Sequence, residues 1–282
     1  MPRLRAIFIL VIFMAMTLAS IPWQLSAVRF KLQRRKTFPN RYHKLLCRLF
    51  GIRITVIGKP VQDRGVLMVA NHTSYLDILI MSATARVSFI GRRDVSTWPL
   101  FGTLTRLQET VYVDREKRAR TGEARDIIRD RLHDGDALVL FPEGTSTDGN
   151  RVVPFKSALM GATEAEIGTD AAGRPQYVPV QPVSISYVGI HGMPMGREDR
   201  PLYAWYGDME LLPHLWEMLK AGPLDVMVEY HTPVTVDCAG GRKKIAALAE
   251  TSVRSGLRRA LAGGRAVAKR ADPGGLPAES AG

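Results

Sequence analysis

A histidine placed five positions ahead of an aspartate is the first pair whose residue types and spacing suit chemistry. Residues 71–77 read Asn-His-Thr-Ser-Tyr-Leu-Asp. If this segment turns from a strand into a helix, His72 and Asp77 meet across the first helical turn. The carboxylate then orients the imidazole and stabilises its protonated form, and the other ring nitrogen can take a proton from a hydroxyl. The plainer alternative makes His72 a capping residue and leaves Asp77 on a solvated face. A second candidate follows the apolar run ALVLF, where residues 141–149 read Phe-Pro-Glu-Gly-Thr-Ser-Thr-Asp-Gly. Proline, an acid, glycines and hydroxyls at a strand end describe a tight loop whose amides and hydroxyls suit an anion. The same composition also makes an ordinary surface turn.

Other chemistries lack their residues. No GxSxG, HExxH, GxxxxGK[ST] or GxGxxG occurs, which weakens serine-hydrolase, zinc-peptidase, P-loop and dinucleotide-binding readings. His43, His133, His191, His214 and His231 have no ligand-like spacing; they read as structural or surface residues, and no metal is expected. Cys47 and Cys238, the two cysteines, form neither a disulfide framework nor a CxxC knuckle, so a reducing compartment is expected. Trp205 and Tyr206 suit core packing or the wall of an acyl channel.

The elements that must position these residues alternate along the chain. Segments 52–58, 65–70, 87–90, 110–113, 137–141 and 224–230 read as strands. Segment 177–187 reads as a strand or a bent strand pair, because Pro179 and Pro182 fall inside it. Segments 74–85, 117–133, 157–167 and 242–262 read as helices. Strands alternating with helices predict an α/β fold: one domain over 54–240, with a mostly parallel or mixed sheet flanked by helices. The chain from 263 to 282, rich in Gly, Pro and Ala, is expected to be disordered.

Charge is unevenly placed. The formal net charge is +12, with 39 Lys+Arg against 27 Asp+Glu. Residues 1–53 hold eleven Lys/Arg and no acid, residues 241–270 hold nine Lys/Arg with Glu250 alone, and the centre is mildly acidic. Nucleic acid is therefore not the expected partner of the central domain. Residues 6–23 run AIFILVIFMAMTLASIPW without a charge, long enough to cross a hydrocarbon core of roughly 30 Å. Segment 1–28 reads as a transmembrane or membrane-anchoring helix. Basic residues crowd after it, which places the rest of the chain in the cytoplasm. A cleaved signal peptide is the competing reading. Segment 29–53 interleaves basic and apolar residues and suits anionic headgroups, as does the basic helix over 241–262.

Taken together and in order, the blocks resemble the lysophospholipid acyltransferase family, relatives of 1-acylglycerol-3-phosphate acyltransferase. The resemblance covers roughly residues 50–235: NHx4D at Asn71 to Asp77, an apolar strand ending in a basic residue at Val111 to Arg115, the FPEGTRS block at Phe141 to Ser146, and an apolar strand around Pro182 at Val180 to Ile185. Phe155 and Lys156 match the segment after the third block. The resemblance implies an acyltransferase domain at 54–240 that moves an acyl group from acyl-CoA or acyl-carrier protein to a lysolipid hydroxyl, with no cofactor beyond that co-substrate. It makes His72 the general base and Asp77 its partner. It assigns Arg115, Glu143, Gly144, Thr145 and Lys156 to the acceptor. It also implies a bacterial inner-membrane location, with the domain facing the cytoplasm. One departure matters. Ser146 stands where phosphatidate-forming members carry arginine, so a bidentate phosphate clamp is missing. Either Arg151, Lys156, Arg92 or Arg93 replaces it, or the acceptor is not a phosphate monoester. Residues 143–157 and 204–209 resemble a bacterial branch that includes lyso-ornithine lipid O-acyltransferases. A non-catalytic, membrane-associated lipid-binding protein of the same fold is the alternative.

Overall fold

A computed structural model describes residues 2–113, 118–169 and 173–263. Two helices lead the chain, α1 (Pro2–Arg29) and α2 (Arg34–Phe50). There follow β1 (Ile52–Ile57), β2 (Val66–Ala70), α3 (Leu76–Thr84), β3 (Ser88–Arg92), α4 (Phe101–Leu107), β4 (Val111–Val113), α5 (Arg118–His133) and β5 (Ala137–Leu140). The second half holds β6 (Glu166–Thr169), β7 (Pro175–Tyr177), β8 (Val180–Ile190), β9 (Met193–Pro194), α6 (Leu211–Ala221), β10 (Leu224–Tyr230), α7 (Val236–Ala239) and α8 (Arg242–Leu261).

The main sheet runs β1-β10-β8-β2-β5-β3-β4, with β9 paired to β8. Its pairings are parallel except β10–β8 and β8–β9. Both faces are covered. Val66, Met68 and Ala70 of β2 join a core shared with α1, α2, α3 and α6, while Leu67 and Val69 join a core shared with α5 and α8. That is why β2 and β5 are continuous apolar runs rather than alternating ones.

Segment 177–187 is divided: Tyr177 ends β7, and from Val180 the chain forms the long strand β8, with Pro182 inside it. The missing proline N–H faces His231, just past the end of β10. His231 donates to the Pro182 carbonyl at 3.0 Å. The carbonyl of His231, which an ordinary residue would have met, accepts Gln181 Nε2 at 3.1 Å instead. Segment 157–167 is not the expected helix: a 3₁₀ segment, Ser157–Glu164, passes into β6.

The ends of the chain also differ from expectation. α8 buries Ile245, Ala246, Ala249, Val253 and Leu257 against the sheet. Its apolar stripe belongs to the core, on the face opposite α1 and α2, and Leu248 is its exposed large apolar residue. Gly256 permits the close approach, since a Cβ there would sit 2.2 Å from Ser184 Oγ. α1 does not stand away from the domain. Arg5 Nη1 donates to Leu219 O at 2.9 Å, and Gln24 Nε2 donates to Leu107 O at 2.9 Å. Those two residues lie about 28 Å apart along the helix, and both ends of that span touch the same domain. The tail beyond Gly263 lies outside the described residues.

Candidate active site

β2 and β5 are parallel neighbours, with Val69 opposite Leu140, so their carboxyl ends lie side by side. That is where open α/β sheets place their sites. The loop after β2 carries Asn71 to Tyr75, and the loop after β5 carries Phe141 to Gly149. Asn71 extends the ladder with its side chain: Nδ2 donates to Ile185 O at 2.8 Å, and Oδ1 accepts Ile185 N–H at 2.9 Å. The chain then turns away into α3 with His72 held at the sheet's edge.

His72 Nδ1 meets Asp77 Oδ2 at 2.9 Å. Asp77 is fully buried. Its Oδ2 also accepts the N–H groups of Thr73 (2.7 Å) and Ser74 (3.0 Å), and its Oδ1 accepts Tyr187 O–H at 2.9 Å. Four donors thus hold the carboxylate still. Burial beside Asp77 keeps the Tyr187 phenol protonated, its pKa raised well above the ordinary value, so it serves as a donor. The imidazole stacks on Phe141 at 4.1 Å. Its side chain keeps 22% exposure and opens onto a cavity of about 910 Å³. Tyr75, Phe89, Trp98 and Trp205 line that cavity near the histidine, and Phe13, Tyr42 and Phe50 carry the wall out to α1 and α2.

Residues 53–186 match the acyltransferase family. A lyso-ornithine lipid O-acyltransferase from Brucella abortus is 44% identical over 92% of this chain and 96% of its own length. The chain belongs to the acyltransferase family. A second lyso-ornithine lipid O-acyltransferase, from Rhizobium meliloti, is 41% identical over 91% of this chain and 87% of its own. The crystal structure of the 1-acyl-sn-glycerophosphate (LPA) acyltransferase from Thermotoga maritima superposes with a TM-score of 0.63, at 22% identity, over 92% of this chain and 97% of that one. That likeness shows the fold.

In this acyltransferase, the residues expected at the acceptor separate into four groups. Gly144 and Thr145 line the cavity beside His72. Gly144 has φ +71°, a left-handed turn that glycine adopts without strain. Glu143 does not reach the cavity. It is fully buried, and its two oxygens accept the backbone N–H groups of His72 (3.0 Å) and Val153 (3.1 Å). Burial pushes its pKa up to about 8, against the pull of those two donors. It holds the histidine's backbone rather than a ligand. Lys156 is exposed and is no part of the cavity wall. Arg115 lies outside the described residues.

Ser146, in the arginine position, donates to Trp205 O at 2.6 Å, and Trp205 N–H donates to Thr73 O at 2.9 Å. The Ser146 hydroxyl ties the second loop, and the Trp205 N–H ties the first, to the 203–207 segment. Among the described residues the cavity is lined by three cations, Arg92, Arg125 and Arg242. Of the four expected substitutes for the missing arginine only Arg92 is there, and it is paired with Asp94 at 2.9 Å. Arg125 and Arg242 were missed because they come from α5 and α8. Their sequence positions suggest solvated helix faces, and only the packing of those helices brings them to the cavity.

Proposed function

We propose that this acyltransferase moves a fatty acyl group from a thioester, acyl-CoA or acyl-carrier protein, to the hydroxyl of a lysolipid. The observation that carries the reading is the His72–Asp77 pair at the wall of a large, mainly apolar cavity. With Nδ1–H donated to Asp77, Nε2 is the base. It takes the acceptor hydroxyl's proton as the oxygen attacks the thioester carbonyl. The tetrahedral intermediate then expels the thiolate, and the imidazolium returns the proton to the sulfur. The net change is one C–S bond broken and one C–O bond formed. Asp77 stabilises the imidazolium between the two transfers; general acid–base catalysis of this kind contributes about 10²–10⁴-fold. Gly144 and Thr145 face the same space and would bind the acceptor there.

We favour a lyso-ornithine lipid acceptor over lysophosphatidate. The cavity wall includes Asp208, a carboxylate that suits an amino-acid headgroup's ammonium. Arg92 and Arg242 already have the acid partners Asp94 and Glu164. The relatives at 44% and 41% identity carry the lyso-ornithine name. The deciding assay offers lyso-ornithine lipid and lysophosphatidate with each donor to the native chain and to His72→Ala. Transfer to lyso-ornithine lipid that His72→Ala abolishes is expected. Full activity in His72→Ala would refute the mechanism, and preference for lysophosphatidate would refute the acceptor. Lipid binding without turnover under every pairing would favour the non-catalytic alternative.

The same reading places α1 and α2 in one leaflet. Leu4, Phe8, Val11, Leu18 and Trp23 are exposed along α1, while Ala6 and Ile9 pack into the core. A helix held to the domain near both ends lies in the membrane surface rather than across it. The cavity then opens where lipid chains are. We infer attachment to the cytoplasmic leaflet of a bacterial inner membrane, where thioester donors are made.

A further inference from the structure

The cavity has a cationic rim that the His72–Asp77 pair does not use. Arg125 of α5 and Arg242 of α8 belong to its wall. Both helices pack against the 3₁₀ segment Ser157–Glu164, so both arginines reach the wall beside that segment. A Cβ on Gly161, in the middle of the segment and itself in the wall, would lie 4.0 Å from Arg242 Nη1. Arg125 is exposed and the Arg242 side chain keeps 36% exposure, so this part of the wall meets water.

The positive charge there is poorly offset. Arg125 makes no ion pair with another described residue. Glu164 stands 3.8 Å from Arg242 Nη1, too far for a hydrogen bond, so it balances part of the charge and leaves the donors open. Arg242, Lys243 and Lys244 begin α8 with no acid in its first turn and no side-chain cap, which sets three cations against the positive end of the helix dipole. Lys156, just before the 3₁₀ segment, is exposed and adds a fourth on the same side. α5 and α8 also pack on the sheet face opposite α1 and α2. The acceptor lipid comes from the side of α1 and α2, whereas a thioester donor comes from water. Acyl-CoA and acyl-carrier protein present the acyl group on the same pantetheine arm, which ends in a phosphate. That phosphate is the anion a water-facing cationic rim suits.

We propose that Arg125 and Arg242 bind the phosphate of the donor's pantetheine arm. The proposal rests on the acyl-transfer reading of the cavity and names what holds the donor in it. The phosphate belongs either to coenzyme A or to the carrier protein, and the chemistry at the two guanidinium groups is the same for both.

Calorimetric titration of the detergent-solubilised full chain with S-decanoyl-phosphopantetheine and with S-decanoyl-pantetheine tests the contact directly, because the two ligands differ only in the phosphate. The phosphorylated thioester is expected to bind about tenfold more tightly, the worth of a charge-assisted hydrogen bond at a half-exposed site. Arg125→Gln with Arg242→Gln should erase that difference. If the double variant fails to fold, the native-chain comparison and Arg125→Gln alone, at an exposed position without an ion pair, still decide. Equal affinity for the two thioesters in the native chain would overturn the proposal, as would a phosphate preference that survives in the folded double variant. Turnover of decanoyl-CoA and of decanoyl-carrier protein by both proteins assigns the source: the donor whose KM rises in the variant is the one whose phosphate sits at the rim, and a KM unmoved for both would also overturn the proposal. Acyl transfer without a phosphate preference in binding would sink this proposal and spare the proposed function. A phosphate preference in binding with no transfer under any pairing would do the reverse.

Discussion

Glu143 accepts the backbone N–H of His72 at 3.0 Å, so the acid of the second loop holds the base of the first through its main chain. The contact depends on β2 and β5 being adjacent and parallel. It also explains why an acid is buried in the FPEG loop with no cation among the described residues in direct contact. The second loop leans on the first elsewhere too: a Cβ on Gly149 would lie 3.0 Å from Thr73 Cγ2, and Thr147 N–H donates to His72 O at 3.0 Å.

Glu143→Gln should therefore act on position rather than on acceptor affinity. A glutamine can accept from His72 or from Val153, and its NH₂ then faces the other N–H. The expected cost is about 1–3 kcal/mol of stability, with kcat reduced and the acceptor KM little changed. A raised KM at normal kcat would return Glu143 to the acceptor.

The same substitution has a pH signature. Folding raises the Glu143 pKa from the ordinary carboxylate range, about 4.3, to about 8. The folded state therefore holds the proton more tightly than the unfolded state, and this contribution to stability is lost as pH rises between those values. Glutamine does not titrate there. The melting-temperature advantage of the native chain over Glu143→Gln should shrink from pH 5 to pH 8. Scanning calorimetry of both proteins reads it directly, and a widening gap would contradict the assignment.

Asp77 separates chemistry from folding by choice of substitution. In Asp77→Asn the amide oxygen can keep the Thr73 and Ser74 N–H groups, and the NH₂ can donate to Tyr187, whose hydroxyl rotates to accept. The fold should survive with kcat lowered about 10²–10⁴-fold, because the imidazolium loses its counter-charge. Asp77→Ala strands two buried N–H groups and should unfold the site as well. Circular dichroism beside the transfer assay distinguishes them. Near-native turnover in Asp77→Asn would reduce His72 to an unassisted base.

Asn71 is part of the same block but has a different duty. Asn71→Asp keeps an acceptor for Ile185 N–H and sets an oxygen against Ile185 O in place of the donor. Stability should fall by about 1–3 kcal/mol, and activity should fall with the folded fraction. Activity lost in full at unchanged melting temperature would instead place Asn71 at the substrate.

What could be read in the sequence divides along physical lines. The His72–Asp77 spacing is local, so one helical turn suffices to place it. The apolar runs of β2 and β5 announce strands buried on both faces. Glu143 was legible as a loop acid but not as a partner of His72, since that contact spans 71 residues and depends on strand order. α4 and α6 were not anticipated: seven and eleven residues long, they are too short for a firm periodic signal, and Pro213 stands in the first turn of the second. The apolar period of α8 was legible, but the sheet it covers was not. In α1 composition showed a helix fit for a membrane. Only the bonds of Arg5 and Gln24 show that it lies along the domain.

That geometry makes the orientation of α1 testable. A crossing helix would carry its first residues roughly 30 Å away, to the far side of the bilayer. A helix lying in one leaflet keeps Leu4 on the same side as Cys238, which is exposed, while Cys47 is buried. In sealed inner-membrane vesicles of one orientation, Leu4→Cys and the native Cys238 should react with a membrane-impermeant maleimide from the same side. Labelling from opposite sides would establish a crossing. The lipid-facing row gives a second handle: Phe8→Gln with Val11→Gln should weaken vesicle binding and leave the melting temperature nearly unchanged, since both residues are more than 60% exposed. Removing residues 1–33 should do more than release the protein. It takes Ala6 and Ile9 out of the core, and Phe13, Thr17 and Gln24 out of the cavity wall, so the truncated chain should lose acyl transfer along with its membrane.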